Sequence, residues 1–145
     1  MLLRIKKMKD NAILPTRGSK KAAGIDLYAC IDEPITIAPG ETITFGSGIA
    51  CEFPEGYWGM IVPRSSVGIK RRLNIPQGAA VIDEDYTGEI ILAFYNHGKE
   101  TVTISPNERV AQMVLLPYFN IAVEETNNIN KTERGSSGIG STGRF

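Results

Sequence analysis

Apolar and polar positions alternate, or gather into short β-branched runs, at Ile25 to Cys30, Pro34 to Ile37, Glu41 to Phe53, Tyr57 to Val62, Glu89 to Tyr95, Thr101 to Ile104 and Arg109 to Leu116. A period of two, broken by Gly or Pro every few residues, predicts an all-β sandwich or barrel. Ala38-Pro39-Gly40, Pro54-Glu55-Gly56, Asn96-His97-Gly98 and Ser105-Pro106-Asn107 supply turns between the strands, since Pro presets φ and Gly or Asn accepts left-handed backbone. Helical periodicity is nearly absent; one brief turn is expected at Ser65-Ser66, with a hydroxyl capping Val67 to Lys70. From Glu124 onward the apolar pattern stops and Asn, Thr, Ser, Gly and charged residues take over, so this stretch cannot build a core. The expected division is a β-barrel over 1–123 and a flexible C-terminal arm over 124–145. Those 22 residues reach ~70 Å when extended at ~3.3 Å per residue, enough to cross to another subunit.

Composition sharpens this picture. The chain of 145 residues suits one domain, and Gly 15 with Pro 8 makes 23 of 145, about 16% against a usual ~12%, which favours many turns. Sixteen basic and sixteen acidic side chains cancel, so the cationic surplus that binding duplex nucleic acid demands is missing. The longest apolar run, Ile90 to Tyr95, falls far short of the ~18 residues of a membrane span. MLLRIKKMKD places charges where a signal peptide needs its hydrophobic stretch, so a cytoplasmic location is expected. Cys30 and Cys51, with no partnering His nearby, offer neither a zinc set nor a disulfide framework, and two reduced, buried thiols are expected.

Three stretches can do chemistry. Pro63-Arg64-Ser65-Ser66-Val67-Gly68 puts a cation and two hydroxyls at a helix start that favours anions, and reads equally as a cap beside a solvated arginine. In Gly78-Ala-Ala-Val-Ile-Asp83-Glu-Asp85-Tyr86-Thr-Gly88, apolar residues lead into three acids and a ring. A carboxylate in a partly dry site accepts a proton from water, and the tyrosine offers a sugar a flat face; the alternative is a hairpin with a solvated acidic tip and a core tyrosine. Gly138-Ile-Gly140-Ser-Thr-Gly143 spells GxGxxG, but too few residues follow for the helix that dinucleotide folds require. What remains, from Arg134 to Arg144, is a phosphate clamp of glycines, hydroxyls and arginines, or a disordered tail. His97, in a turn with no Ser or Cys set up for nucleophilic attack, reads as a surface residue, and Trp58 as core.

Five segments in order, AAGIDLYA at 22–29, PRSS at 63–66, VIDEDYTG at 81–88, RVAQM at 109–113 and RGSSGIGSTG at 134–143, resemble the five motifs of the trimeric dUTP pyrophosphatases (dUTPases). The resemblance implies a homotrimeric, jelly-roll-like β-barrel with sites between subunits, each completed by a neighbour's arm. It implies hydrolysis of dUTP to dUMP and pyrophosphate, limiting uracil in DNA and supplying dUMP for thymidylate synthesis. Asp83 matches the aspartate that activates water against the α-phosphorus, and Tyr86 the tyrosine that packs on deoxyribose and excludes a 2′-hydroxyl. Arg64, Ser65, Ser66 and Gln112 match residues on the α and β phosphates. In the family uracil is read mostly by main chain, here from the strand pair matching Gln77, Gly78, Val81 and Ile82 together with Ile91, which would explain the small Gly78-Ala79-Ala80 run. On the arm, Arg134, Ser141 and Thr142 match residues that close over the γ-phosphate, Gly140 is a further implied substrate-binding residue, and Ile139 stands at the position over the base. Mg²⁺ is the implied cofactor, carried by substrate phosphates and waters with no protein metal ligands, as that ion prefers.

Two positions depart from the family. Ile139 stands where an aromatic usually stacks on uracil, which predicts a weaker lid. Ala80 stands where glycine is common. A dCTP deaminase of related fold needs an arginine at the position of Ile69 and a glutamate at that of Ala93, both absent; a non-catalytic nucleotide-sensing protein on the same barrel would have lost Asp83 or the arm, and both are present.

Overall fold

The computed structural model of the chain describes residues 1–139 and Ser141. Eleven short strands form: β1 Arg4–Lys7, β2 Ile25–Tyr28, β3 Ile35–Ile37, β4 Thr42–Gly46, β5 Ile49–Glu52, β6 Tyr57–Pro63, β7 Leu73–Asn74, β8 Ala80–Ile82, β9 Ile91–Asn96, β10 Val102–Ile104 and β11 Arg109–Pro117. All pair antiparallel, as a four-stranded sheet β2-β11-β6-β8, a three-stranded sheet β4-β9-β7 and two ribbons, β1-β5 and β10-β3. Leu27, Ile61 and Met113 project from the first sheet, and Phe45, Leu92 and Phe94 from the second, into one core. There Phe45 and Phe94 stack with ring centroids 6.0 Å apart. Burying each such side chain stabilises by roughly 1.5–3 kcal/mol, so this apolar layer between sheets is the main reason the short strands hold together. The result is an all-β, jelly-roll-like barrel.

The seven expected runs all contain strands, with one division. Glu41 to Phe53 breaks at Ser47-Gly48, where Gly48 has φ 73 and a Cβ would lie 2.6 Å from Cys30 Sγ and 2.7 Å from Ala12 Cβ. Left-handed backbone against a packed wall ends β4 and starts β5. Gly40, Gly56 and Asn107 take positive φ at 79, 77 and 62, as their turns require. β1 is hidden in the sequence because RIKK carries three charges; it is held by Ile49–Glu52, over forty residues away. β7 is only two residues long, with Leu73 fully buried.

Among the described residues one helical turn forms, Ser66–Lys70, and no hydroxyl caps it. Ser65 is itself helical (φ −54, ψ −41), and the turn closes through backbone alone, Val67 and Gly68 N–H both donating to Arg64 O at 2.9 Å. Cys30 and Cys51 are buried and unbridged, and His97 is exposed. Trp58 is half-buried and lines an open cleft, so it is not the core residue expected. β11 ends at Pro117, and every described residue after it is exposed and outside any strand. No helix among the described residues is long and apolar enough to cross a membrane.

Candidate active site

β8 is the edge of the four-stranded sheet, paired with β6 on one side only, so its outward N–H and C=O groups have no ladder partner. It delivers Asp83 directly from the strand's end. The following loop folds on itself: Tyr86 N–H donates to Asp83 O at 3.1 Å, and Tyr86 Oη donates to Glu89 O at 2.9 Å. The ring lies across Gly88, where a Cβ would meet Oη at 2.6 Å; a glycine is needed there for contact, not for φ.

Gln77, Ala80, Val81, Ile82, Asp83, Tyr86 and Ile91 line one cavity of ≈ 250 Å³. Residues from three places in the chain thus converge: the turn before β8, β8 with the loop that follows it, and the first residue of β9, which belongs to the other sheet. Gly78 sits just outside, in the turn before β8, with φ 88 and its N–H donated to Ile75 O. Asp83 also lines a larger cleft of ≈ 680 Å³ with Trp58, Glu84, Asp85 and Tyr118. Asp83 is exposed, so the partly dry setting expected for it is not made by this chain's barrel alone. Tyr86, 42% exposed, is not a core residue.

The phosphate candidates gather where β6 ends beside β11. Arg64 is not the solvated arginine of the bland reading: its Nε donates to Asp26 Oδ1 at 3.1 Å, while Arg109 Nη1 donates to Oδ2 of the same carboxylate at 3.1 Å. Asp26 is 6% exposed, on β2. Gln112, opposite both Asp26 and Val62 in register, reaches Pro63 O at 3.4 Å and packs so tightly on Gly24 that a Cβ there would meet Oε1 at 2.6 Å. Ser65 and Ser66 are exposed, and their hydroxyls are not used in capping. This is a cationic, donor-rich surface suited to oxyanions.

The tail candidates are not brought to this place within one chain. Arg134 and Ser141 line a concavity of ≈ 490 Å³ formed by the tail itself, with Arg134 Nε donating to Ser137 O at 3.1 Å. Ile139 is fully exposed; Gly140 and Thr142 lie outside the described residues. Ile69 is exposed and Ala93 half-buried, and neither can move a proton. Sequence reasoning missed two features. The sequence assigns no role to Asp26, nor to Glu84, whose Oε2 accepts hydrogen bonds from Gly56 N–H and Tyr118 Oη, 28 and 34 residues away. Only long-range pairing reveals such partners.

A family model described as dUTPase matches residues 10–143. The chain is 38% identical over 143 residues to the deoxyuridine 5′-triphosphate nucleotidohydrolase of Hydrogenobaculum sp. (strain Y04AAS1), with 99% of each protein covered. It is 40% identical over 144 residues to the mitochondrial deoxyuridine 5′-triphosphate nucleotidohydrolase of Homo sapiens, covering 99% of this chain and 56% of that one. The Staphylococcus bacteriophage 80alpha dUTPase, solved with dUPNHPP, superposes with a TM-score of 0.88 at 26% identity over 99% of both chains. An edge strand ending in an aspartate, a tyrosine folded back beside it, a tethered arginine and a match running through all of them lead to one conclusion: this chain belongs to the dUTPase family.

Proposed function

We propose that the protein hydrolyses dUTP to dUMP and pyrophosphate, with Asp83 as general base. The observation that carries this reading is the ≈ 250 Å³ cavity holding Asp83 and Tyr86 against an open strand edge. Its volume lies below the ~300–1,000 Å³ typical for a whole ligand, so it suits the nucleoside and leaves the triphosphate outside; because Ile82 pairs with Gly59 near the start of β6 and Arg64 follows the other end of that strand, Arg64, Ser65, Ser66 and Gln112 would reach those phosphates from a neighbouring subunit. Unpaired β8 backbone groups read the uracil edge, and the Tyr86 ring, fixed by Glu89 O and Gly88, packs on deoxyribose where a 2′-hydroxyl would clash.

In the chemical step a water oxygen bonds to the α-phosphorus, its proton passes to the Asp83 carboxylate, and the bond from that phosphorus to the α–β bridging oxygen breaks, releasing pyrophosphate. The arginine and hydroxyl donors hold the phosphates and neutralise developing charge. Among the described residues no three His, Cys, Asp or Glu side chains gather around an ion site, and Asp26 is taken up by two arginines. The family resemblance implies the Mg²⁺ complex of dUTP as substrate, in which the ion would ride on phosphate oxygens and waters.

A homotrimer supplies the cover that exposed Asp83 lacks, with residues 124–145 of one subunit closing a neighbour's site through Arg134, Ile139, Gly140, Ser141 and Thr142. The exposed Phe119, Ile121 and Val123, at 88%, 75% and 94%, are apolar surface that an assembly would bury. Two unbridged thiols fit a reducing, cytoplasmic setting, where the reaction limits uracil in DNA and supplies dUMP. Pyrophosphate release from dUTP, UTP, dCTP and dTTP tests the reading, with Asp83→Asn alongside. Turnover of dUTP alone, abolished by the substitution, is expected; an active Asp83→Asn protein would refute the role of Asp83.

A further inference from the structure

Glu84 stands between two exposed acids, yet its carboxylate is held by two donors from distant segments. One oxygen, Oε2, accepts Gly56 N–H at 2.7 Å and Tyr118 Oη at 2.8 Å. Tyr118 N–H in turn donates to Gly56 O at 3.0 Å. Three bonds therefore close a ring among three separate segments: the acidic loop after β8, the turn between β5 and β6, and the first residue beyond β11. Gly56 holds its place in that ring with φ 77. The hydrogen bond to Glu84 also pushes the Tyr118 phenol above its ordinary value.

Tyr86 N–H to Asp83 O and Tyr86 Oη to Glu89 O are internal to the acidic loop and give it its shape. Its far end is tied to the barrel by Glu89 Oε1, which accepts Gly48 N–H at 2.8 Å. Glu84 supplies the placement at the near end, one residue from Asp83. Beyond Tyr118 the chain emerges at once, Phe119 being 88% exposed.

We propose that Glu84 is a positioning residue: it pins the Asp83 loop to the β5–β6 turn and, through Tyr118, to the point where the tail leaves the barrel. This rests on the reading of Asp83 as general base. Displacing a reacting group by about 1 Å costs up to ~10²-fold, so a carboxylate that fixes the loop acts on rate without touching substrate.

The full chain carrying Glu84→Ala, Glu84→Gln or Tyr118→Phe, assayed for dUTP turnover, melting temperature and amide hydrogen exchange, tests this. Glu84→Ala is expected to lower kcat about tenfold while the KM for dUTP moves less than about threefold, with exchange quickened over residues 83–88. Glu84→Gln, whose amide oxygen accepts both donors, restores kcat to within about twofold of the parent. Tyr118→Phe removes one hydroxyl and gives an intermediate loss, and it carries the test should Glu84→Ala not fold. Unchanged kcat and exchange in Glu84→Ala, or in Tyr118→Phe where it stands in, would overturn the proposal, as would Glu84→Gln being as impaired as Glu84→Ala. Asp83→Asn separates the two readings: if it is inactive while Glu84→Ala is normal, only the positioning role fails, and the exchange measurement does not depend on activity at all.

Discussion

Replacing Gly88 with alanine moves Tyr86 without altering any side chain of the site. The new Cβ would stand 2.6 Å from Tyr86 Oη, 2.7 Å from Cζ and 3.1 Å from Cε2, where ordinary contact begins at 3.4 Å. The ring must therefore retreat by at least 0.7 Å, the difference between 3.4 and 2.7 Å. Gly88 is not among the positive-φ glycines, so alanine brings no backbone strain of its own. The retreat breaks the 2.9 Å bond from Oη to Glu89 O, a loss of about 1 kcal/mol, and, on the proposed packing of Tyr86 against deoxyribose, opens the space where a 2′-hydroxyl would clash. With ~10²-fold lost per ångström of misplacement at a reacting centre, a shift of the sugar platform should lower kcat/KM for dUTP about tenfold. UTP gains room for its extra hydroxyl and loses less, so the preference for dUTP over UTP narrows by about tenfold as well. Steady-state pyrophosphate release with both nucleotides, beside a melting curve to show folding, measures this. A folded Gly88→Ala enzyme with its dUTP to UTP ratio unchanged would refute the packing of Tyr86 against the sugar.

Asp26→Ala strips two ion pairs from Arg64 and Arg109, whose side chains are 29% and 44% exposed. Because both guanidinium groups keep water, the loss should be about 2 kcal/mol, below the ~3–5 kcal/mol of a fully buried pair, lowering the melting temperature by about 5 °C; KM should rise as Arg64 loses its tether. Ile139→Phe restores a stacking face to the arm and should lower KM about threefold; identical kinetics would refute the lid role of residue 139. Burial pushes the Cys51 thiol from 9.0 up to about 11. The folded protein then holds that proton where the unfolded chain has released it, so stability is full below pH 9 and declines as pH rises towards 11. Urea unfolding across that range should show the decline in the parent and a smaller one in Cys51→Ala, and thiol reagents at pH 8 should leave Cys51 unmodified until the chain unfolds.

Strand positions were legible where neighbours in sequence decide them. Ile91–Asn96 and Arg109–Pro117 announce themselves by alternation, and the turns at Gly40, Gly56 and Asn107 by residues able to hold φ near 60–80°. The unbroken appearance of Glu41 to Phe53 misled because Gly48 turns left-handed against Cys30, a contact set by packing, not by local pattern. β1 and the hydroxyl cap failed for related reasons. RIKK is a strand only because Ile49–Glu52 lies beside it, and Arg64 O already takes the donors that a serine would have capped. Asp83 and Tyr86 lie close in sequence and could be read together. Their convergence with Gln77 and Ile91 draws on strands of two different sheets, and the ring joining Glu84, Gly56 and Tyr118 leaves no periodic trace at all.

One carboxylate shared by two guanidinium groups leaves a positive charge unbalanced at the Asp26 cluster before any ligand arrives. Arg64 and Arg109 repel one another across that carboxylate, and on the proposed phosphate role an incoming oxyanion would relieve that repulsion in addition to accepting their hydrogen bonds. The berth is charged ahead of use. Inorganic phosphate, and still more the product pyrophosphate, would thus steady the fold without any nucleoside attached, and departure of the product would restore the tension for the next turnover.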